Sequence, residues 1–256
     1  MLTGSTIDGT DVITIEHGRA NALDLSLVDA LRDALDRAAS ERSRGALVLT
    51  GSGSIFCAGV DLFRVVEGGR EYIERFLPAL SDLFLRLFLI PRPVVAAING
   101  HAIAGGCILA CACDYRVMSG GAGTIGLPEL AVGVPFPASA VELLRHAVGS
   151  PRLQELLYFG RTYGPADALA HALVDEVAPA ERVMPRAVDA GRELASRPPE
   201  SFRLTKQHLR APAAERIRSA ERETPALIDA WASPETLDAV RVYLERTLRK
   251  EAPRRS

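Results

Sequence analysis

Between Val94 and Glu129 a short β-branched run (Val94, Val95, Ile98) stops at Asn99-Gly100, and a small-residue turn, Ala104-Gly105-Gly106, opens an apolar helix. A strand passed through glycines into a helix is an α/β element, and the helix start leaves its first N–H groups without intrahelical partners. Glycine has no side chain to hold a ligand away, so these donors form a ready site for developing negative charge. Further along, a single carboxylate, Glu129, sits among Leu127, Pro128, Leu130 and Val132. Oxyanion donors beside one desolvated carboxylate point to enolate chemistry.

The chain before this stretch repeats the pattern. Asp11 to His17 alternates as a strand does, and a loop from Gly18 to Leu23 leads into a helix starting near Asp24 or Ser26, with Leu27, Leu31, Leu35 and Ala38 on one face. Ala46 to Thr50 is a second strand, and the crossover between the two is long enough to make them parallel. Gly51 to Asp61, GSGSIFCAGVD, is another small-residue loop between a strand and a helix. Two such loops can bring two backbone N–H groups to one point, although each alone also reads as an ordinary strand-to-helix turn. Gly69 to Leu89 places Tyr72, Phe76, Leu80, Leu83 and Leu87 at helical spacing and is expected to pack on the sheet.

Tyr115 to Met118 reads as a strand, Gly120 to Gly123 as a flexible loop, and the prolines of Gly133 to Pro137 make irregular chain at a pocket wall. Helices are expected at Ser139 to Val148, at Leu153 to Phe159 behind the start signal Ser150-Pro151, and after Pro165 and Asp167, with a strand next over Leu173 to Val177. From Val183 the chain is helical and charged, with breaks at Pro198-Pro199 and Ser233-Pro234. The last segment, Pro234 to Lys250, carries Leu237, Val240, Leu244 and Leu248 on one face, which calls for cover from another subunit or from the chain's own core.

Composition excludes several classes of function. With 256 residues, 48% of them hydrophobic, the chain can bury one large core. A formal charge of -2 supplies no basic footprint for nucleic acid and no polybasic membrane anchor. The longest apolar stretch, Leu83 to Ile98, is broken by Arg86, Pro91, Arg92 and Pro93 and cannot span a bilayer. Cys57, Cys107, Cys111 and Cys113 lie in apolar or small-residue surroundings, as reduced buried thiols do, and Cys111-x-Cys113 lacks the second ligand pair of a metal site. With no secretory pattern at the N-terminus, a cytoplasmic location is expected.

Asn21-Ala22-Leu23, Phe56 to Leu62, Ala97 to Gly100 with Ala104 to Cys107, Cys113-Asp114, Pro128-Glu129 and Leu204-Thr205-Lys206 together resemble the crotonase (enoyl-CoA hydratase/isomerase) superfamily over nearly the whole chain. The resemblance implies an α/β spiral of β-β-α turns over residues 1–190 and a C-terminal helical region over residues 191–256 that serves oligomerisation and covers the CoA site. It also implies homotrimers, often paired into hexamers, and an acyl-CoA substrate whose coenzyme A portion takes the place of any separate cofactor. The thioester oxygen would accept hydrogen bonds from the N–H groups of Val60 and Gly105. Arg19, Ala20, Ala22 and Leu23, with Ala58, Asp61 and Leu62, match positions that hold adenine and pantetheine.

The departures narrow the reaction. Hydratases of this family set two glutamates around one water, and here the second is Glu129 while the first position is Ile108, which can neither orient water nor exchange a proton. Dienoyl-CoA isomerases need an acid at the Ile108 position and another where this chain has Pro137. The remaining pattern is that of the 3-enoyl to 2-enoyl-CoA isomerases, whose wall Gly133 to Phe136 also resembles. Glu129 would then carry a proton from C2 to C4, its pKa raised by burial, while Ile108 and Phe136 keep water out. His101, beside the oxyanion turn, is expected to pack or hydrogen-bond behind it. Hydration, either weak with water oriented by Glu129 alone or assisted by an acid supplied from elsewhere, another crotonase reaction such as decarboxylation or thioester hydrolysis, and acyl-CoA binding without turnover remain the alternatives.

Overall fold

The computed structural model describes residues 1–40 and 45–251, with the backbone alone at 40, 221 and 248–251. The chain opens with an antiparallel pair, β1 (Leu2–Ile7) and β2 (Thr10–Ile15), and continues into helix α1 (Leu25–Ser40). Three β-β-α units come next: β3 (Leu47–Gly51), β4 (Ile55–Cys57) and α2 (Leu62–Leu89); β5 (Val94–Ile98), β6 (His101–Ile103) and α3 (Gly105–Ala112); β7 (Tyr115–Ser119), β8 (Ile125–Gly126) and α4 (Glu129–Val132). Helices α5 (Ala138–Val148) and α6 (Ser150–Phe159) precede β9 (Thr162–Tyr163), α7 (Pro165–Ala170) and β10 (Glu176–Ala178). The chain ends in α8 (Val183–Ala195), α9 (Pro199–Ser219), α10 (Thr224–Trp231) and α11 (Pro234–Glu251).

Each unit gives its first strand to a six-stranded sheet, ordered β1-β2-β3-β5-β7-β10, and its second to a four-stranded sheet, ordered β4-β6-β8-β9. The chain therefore winds as a spiral, advancing one strand position in both sheets per turn. In the smaller sheet β4, β6 and β8 are parallel neighbours, with Cys57 opposite Ala102 and Ile103 opposite Gly126. Their C-terminal ends lie side by side at the inter-strand spacing of roughly 5 Å, so the loops leaving the three strands converge on one place. Those loops carry Val60, Gly105 and Glu129.

Central strands β3 and β5 are buried at every position, as strands covered on both faces are. Alternate residues divide between two cores: Leu47, Leu49, Val94, Ala96 and Ile98 face α1, α2, α3 and α5, while Val48, Val95 and Ala97 face Val183, Ala187 and Val188 of α8. A buried ion cluster ties α9 beneath the spiral. Asp114 accepts from Lys206 Nζ at 2.7 Å, from Arg210 Nη2 at 2.8 Å and from the Val94 N–H at 2.7 Å. Lys206 also donates to the Arg92 carbonyl, and Arg210 to those of Phe88, Ala112 and Cys113. Burial pulls the Lys206 amine down to about 8 despite its carboxylate partner.

The structure corrects several expectations. The short strands β4, β6, β8 and β9 have no periodic signal, because two or three residues cannot establish alternation, and β1 has none because it is exposed along nearly its whole length. Helix α2 begins at Leu62, bends at Gly69 (φ 53°, ψ −144°), and, besides sharing a core with the sheet, packs on α1, α3, α5, α9, α10 and α11. Pro165 and Asp167 lie inside α7, and the late strand is 176–178 rather than 173–177. Residues 190 and 191, between which a boundary was expected, both lie within α8, which packs on β5 and β7. Helix α11 packs back on this chain's α2, α4 and α10, with Val240 fully buried; the Leu248 side chain lies outside the described residues. Among the described residues no helix is long and apolar enough to cross a membrane.

Candidate active site

Asn21, 2% exposed, braces the first loop: its amide donates to the Ile55 carbonyl at 2.8 Å and accepts from the His17 N–H at 2.9 Å. That brace holds Leu23 against the second loop, where the Leu23 N–H donates to Gly59 and the Asp61 N–H donates to Leu23. This parallel bridge uses the groups on either side of Val60 and leaves the Val60 N–H turned away from it. Asp61 then ends the loop by capping α2, accepting from the N–H groups of Phe63 and Arg64.

Gly59 lies at φ +87°, and a Cβ there would stand 2.7 Å from the Ile103 carbonyl oxygen and 3.2 Å from the Gly105 nitrogen. The two loops thus touch, which brings Val60 and Gly105 into one corner. Ala104, ahead of α3, is held at φ 51°, ψ −121° by its own N–H bond to Gly126. Non-glycine residues rarely adopt such a conformation, at a cost of about 1–3 kcal/mol, and it aims the first N–H of α3 outward. Among the described residues neither the Val60 nor the Gly105 N–H donates a hydrogen bond.

Glu129 opens α4, whose single turn is closed by Gly133 at φ 100°. The side chain is 7% exposed, and its Oε2 has no hydrogen-bond partner. Burial pushes the carboxyl up to about 8, opposed only by its own backbone N–H. Val60, Gly105 and Glu129 line one cavity of about 470 Å³. Ile108, one turn into α3, lines it too, and among the described residues the only other acid in its wall is the helix-capping Asp61. A site with unpaired backbone donors, one ionisable carboxylate of raised pKa and an apolar wall can stabilise an oxyanion while moving a proton.

A sequence profile described as Enoyl-CoA hydratase/isomerase matches residues 7–248, nearly the whole chain. The chain belongs to the enoyl-CoA hydratase/isomerase family. A putative enoyl-CoA hydratase of Thermus thermophilus is 36% identical over 89% of this chain and 91% of its own length. The mitochondrial enoyl-CoA delta isomerase 1 of Rattus norvegicus is 28% identical over 95% of this chain and 85% of its own length. The crystal structure of human mitochondrial delta3-delta2-enoyl-CoA isomerase superimposes with a TM-score of 0.94 at 26% identity, covering 98% of this chain and 99% of that one. The fold is therefore the crotonase spiral, and the protein is an enoyl-CoA hydratase/isomerase family enzyme.

Of the residues singled out from the sequence, Arg19, Ala20, Ala22, Ala58, Val60, Asp61, Leu62, Gly105, Ile108 and Glu129 all line this family pocket. Two do not. Leu23 is fully buried behind the wall, its Cδ1 2.9 Å from where a Gly105 Cβ would lie, where it supports the two loops. Phe136 lines a neighbouring cavity, while Pro135 and Pro137 on either side of it line this one as well. The apolar part of the pocket wall is made by Ile108, Val132, Val134 and Trp231.

His101 stays outside the cavity and hydrogen-bonds Thr124. Lining residues that the sequence did not mark as part of the site include His17, whose Nε2 lies 2.9 Å from Asp24, and Tyr243, Leu244 and Thr247 of α11. For α11 the signal was its apolar stripe, which asked for a covering surface without naming it. Trp231, the chain's single tryptophan, carries no local pattern that separates it from an ordinary core residue.

Proposed function

We propose that this enzyme moves the double bond of a 3-enoyl-CoA to the 2-position, with Glu129 as its single acid–base group and coenzyme A entering only as part of the substrate. The observation that carries the reading is the pairing of a buried Glu129, unpartnered at Oε2, with Ile108 where a second carboxylate would be needed for hydration. The thioester oxygen accepts from the Val60 and Gly105 N–H groups. Ionised Glu129 removes a proton from C2, the C2–H electrons form the enolate, and the negative charge rests on that oxygen. The resulting dienolate takes the same proton back from Glu129 at C4, so C3=C4 is exchanged for C2=C3 and the carboxylate is regenerated. Each backbone donor contributes roughly 3–4 kcal/mol to transition-state stabilisation. The isomerase names of the rat relative and the human structure support this reading.

The hydratase name of the Thermus thermophilus relative favours the second reading, in which Glu129 alone orients a water. A paired assay separates them: conjugation of 3-hexenoyl-CoA without hydration of crotonyl-CoA is the expected result. Hydration at a comparable rate would replace this reading, and absence of both activities would point to another family reaction or to binding alone.

Two further outcomes are expected. Only the carboxylate form of Glu129 accepts a proton, so kcat/KM should rise with pH and level off above about 8, measured in buffers of constant ionic strength. Gly59→Ala would force a side chain into the Ile103 carbonyl at positive φ. It should shift the oxyanion corner and lower kcat by about a hundredfold, with about 1–3 kcal/mol lost in urea unfolding.

A further inference from the structure

The pocket holding Glu129 and a second cavity of about 500 Å³ are separated by one partition. Pro135 and Pro137 line both spaces. Along α2, Leu80 and Phe84 face the Glu129 pocket while Leu77, Ser81 and Leu85 face the second cavity. At the end of α10, Trp231 faces the pocket while Leu227 and Ala230 face the second cavity. Trp231 is 3% exposed, and its indole Nε1 donates to the Pro135 carbonyl at 3.0 Å. The largest side chain of the partition is thus fastened to the backbone that forms the rest of it.

That arrangement is rigid for identifiable reasons. The proline rings fix φ on both sides of Phe136, and the indole cannot swing aside without leaving its N–H unpaired in apolar surroundings. The polar lining of the pocket comes from His17 and Arg19 of the first loop, Asp61 of the second, and Tyr243 and Thr247 of α11, with Glu129 among them, whereas Ile108, Val132, Val134 and Trp231 form an apolar wall. A thioester held by its carbonyl at Val60 and Gly105 with its nucleotide end at the loop directs its tail toward that wall.

We propose that Trp231 determines acyl-chain specificity: it ends the acyl chamber, limits the enzyme to short tails, and separates the catalytic pocket from a cavity that longer tails would otherwise enter. The inference rests on the acyl-CoA reading above and adds the residue that sets chain length.

Saturated acyl-CoAs from butyryl to myristoyl, which cannot undergo the reaction, test it by calorimetric titration of the full chain. With wild-type protein, affinity should rise roughly fourfold per added methylene while the tail fills the chamber, then stop rising. In Trp231→Ala the rise should continue, increasing the myristoyl-to-hexanoyl affinity ratio by roughly tenfold or more. Trp231→Phe, smaller and without the N–H, should move the ratio the same way by less, and it carries the comparison if circular dichroism shows Trp231→Ala unfolded. Adding Leu227→Trp to Trp231→Ala, which fills the second cavity from its far side, should bring the ratio back. An unbroken rise to myristoyl in the wild type, or an unchanged ratio in the folded variants, overturns the role of Trp231 alone. Failure to bind any acyl-CoA overturns the acyl-CoA reading itself.

Discussion

Glu129→Gln is expected to reduce turnover of 3-hexenoyl-CoA by about ten-thousandfold, at the upper end for loss of a general base, because in the proposed mechanism one group serves both proton transfers. The amide keeps the shape of the side chain and cannot accept the C2 proton, so calorimetric affinity for a saturated acyl-CoA should change little. The same variant should be the more stable protein at alkaline pH. Burial raises the folded-state carboxyl from its ordinary 4.5 to about 8, so between these values the folded chain binds a proton that the unfolded chain releases. Wild-type stability therefore falls as pH rises through this window, by roughly 3–5 kcal/mol once both states are ionised. Glutamine has no charge to bury and escapes that loss. Urea unfolding of both proteins at pH values of about 5 and 9 checks the sign: the curves should lie close together at the lower value and separate in favour of the variant at the higher. A large loss of binding together with turnover would mean that Glu129 shapes the pocket and does not act as the base.

Asp114→Ala is expected to have the largest effect on stability. Its carboxylate is the shared partner of two buried cations and of the Val94 N–H, with side-chain exposures of 6% for Lys206 and 4% for Arg210. Removing one member of a buried ion pair leaves the other charge uncompensated, at a cost of roughly 3–5 kcal/mol. Here the damage would reach three elements at once, since Arg210 also holds carbonyls at the ends of α2 and α3. The pH dependence identifies the cause. Asp114 holds the Lys206 amine up against burial, so without it the amine should lose its proton more readily, and the penalty should shrink between pH values of about 7 and 9. Denaturant unfolding at both values measures this. A penalty of equal size at both would assign the loss to the missing Val94 bond and to packing.

How much was legible in the sequence depends on the length of each pattern. Helix α1 announced its face through Leu27, Leu31 and Leu35 because several turns repeat the same spacing. The small-residue turns Ala58-Gly59 and Ala104-Gly105-Gly106 were readable because small residues let two backbones approach closely, and Ile108 was readable as the absence of a second acid. The brief strands β4, β6 and β8 were not, although their register is what assembles the site. Leu23 and Phe136 lie off the pocket lining for one reason. A motif position says that a residue belongs near a site, while the direction of its side chain is decided by the backbone path through a bridge or between two prolines.

The sequence alone therefore determined the chemical inventory: two glycine-marked loops, one carboxylate in an apolar setting, no partner acid, and an amphipathic tail in need of cover. Only the tertiary structure decided that these meet. Val60, Gly105 and Glu129 are far apart along the chain and become neighbours because three parallel strands advance by one inter-strand spacing per turn of the spiral. The pairing of Trp231 with Pro135 and the cover supplied by α11 likewise arise from contacts between distant elements. Local periodicity reports which face of an element is apolar; which other element that face meets is settled by the packing of the whole chain.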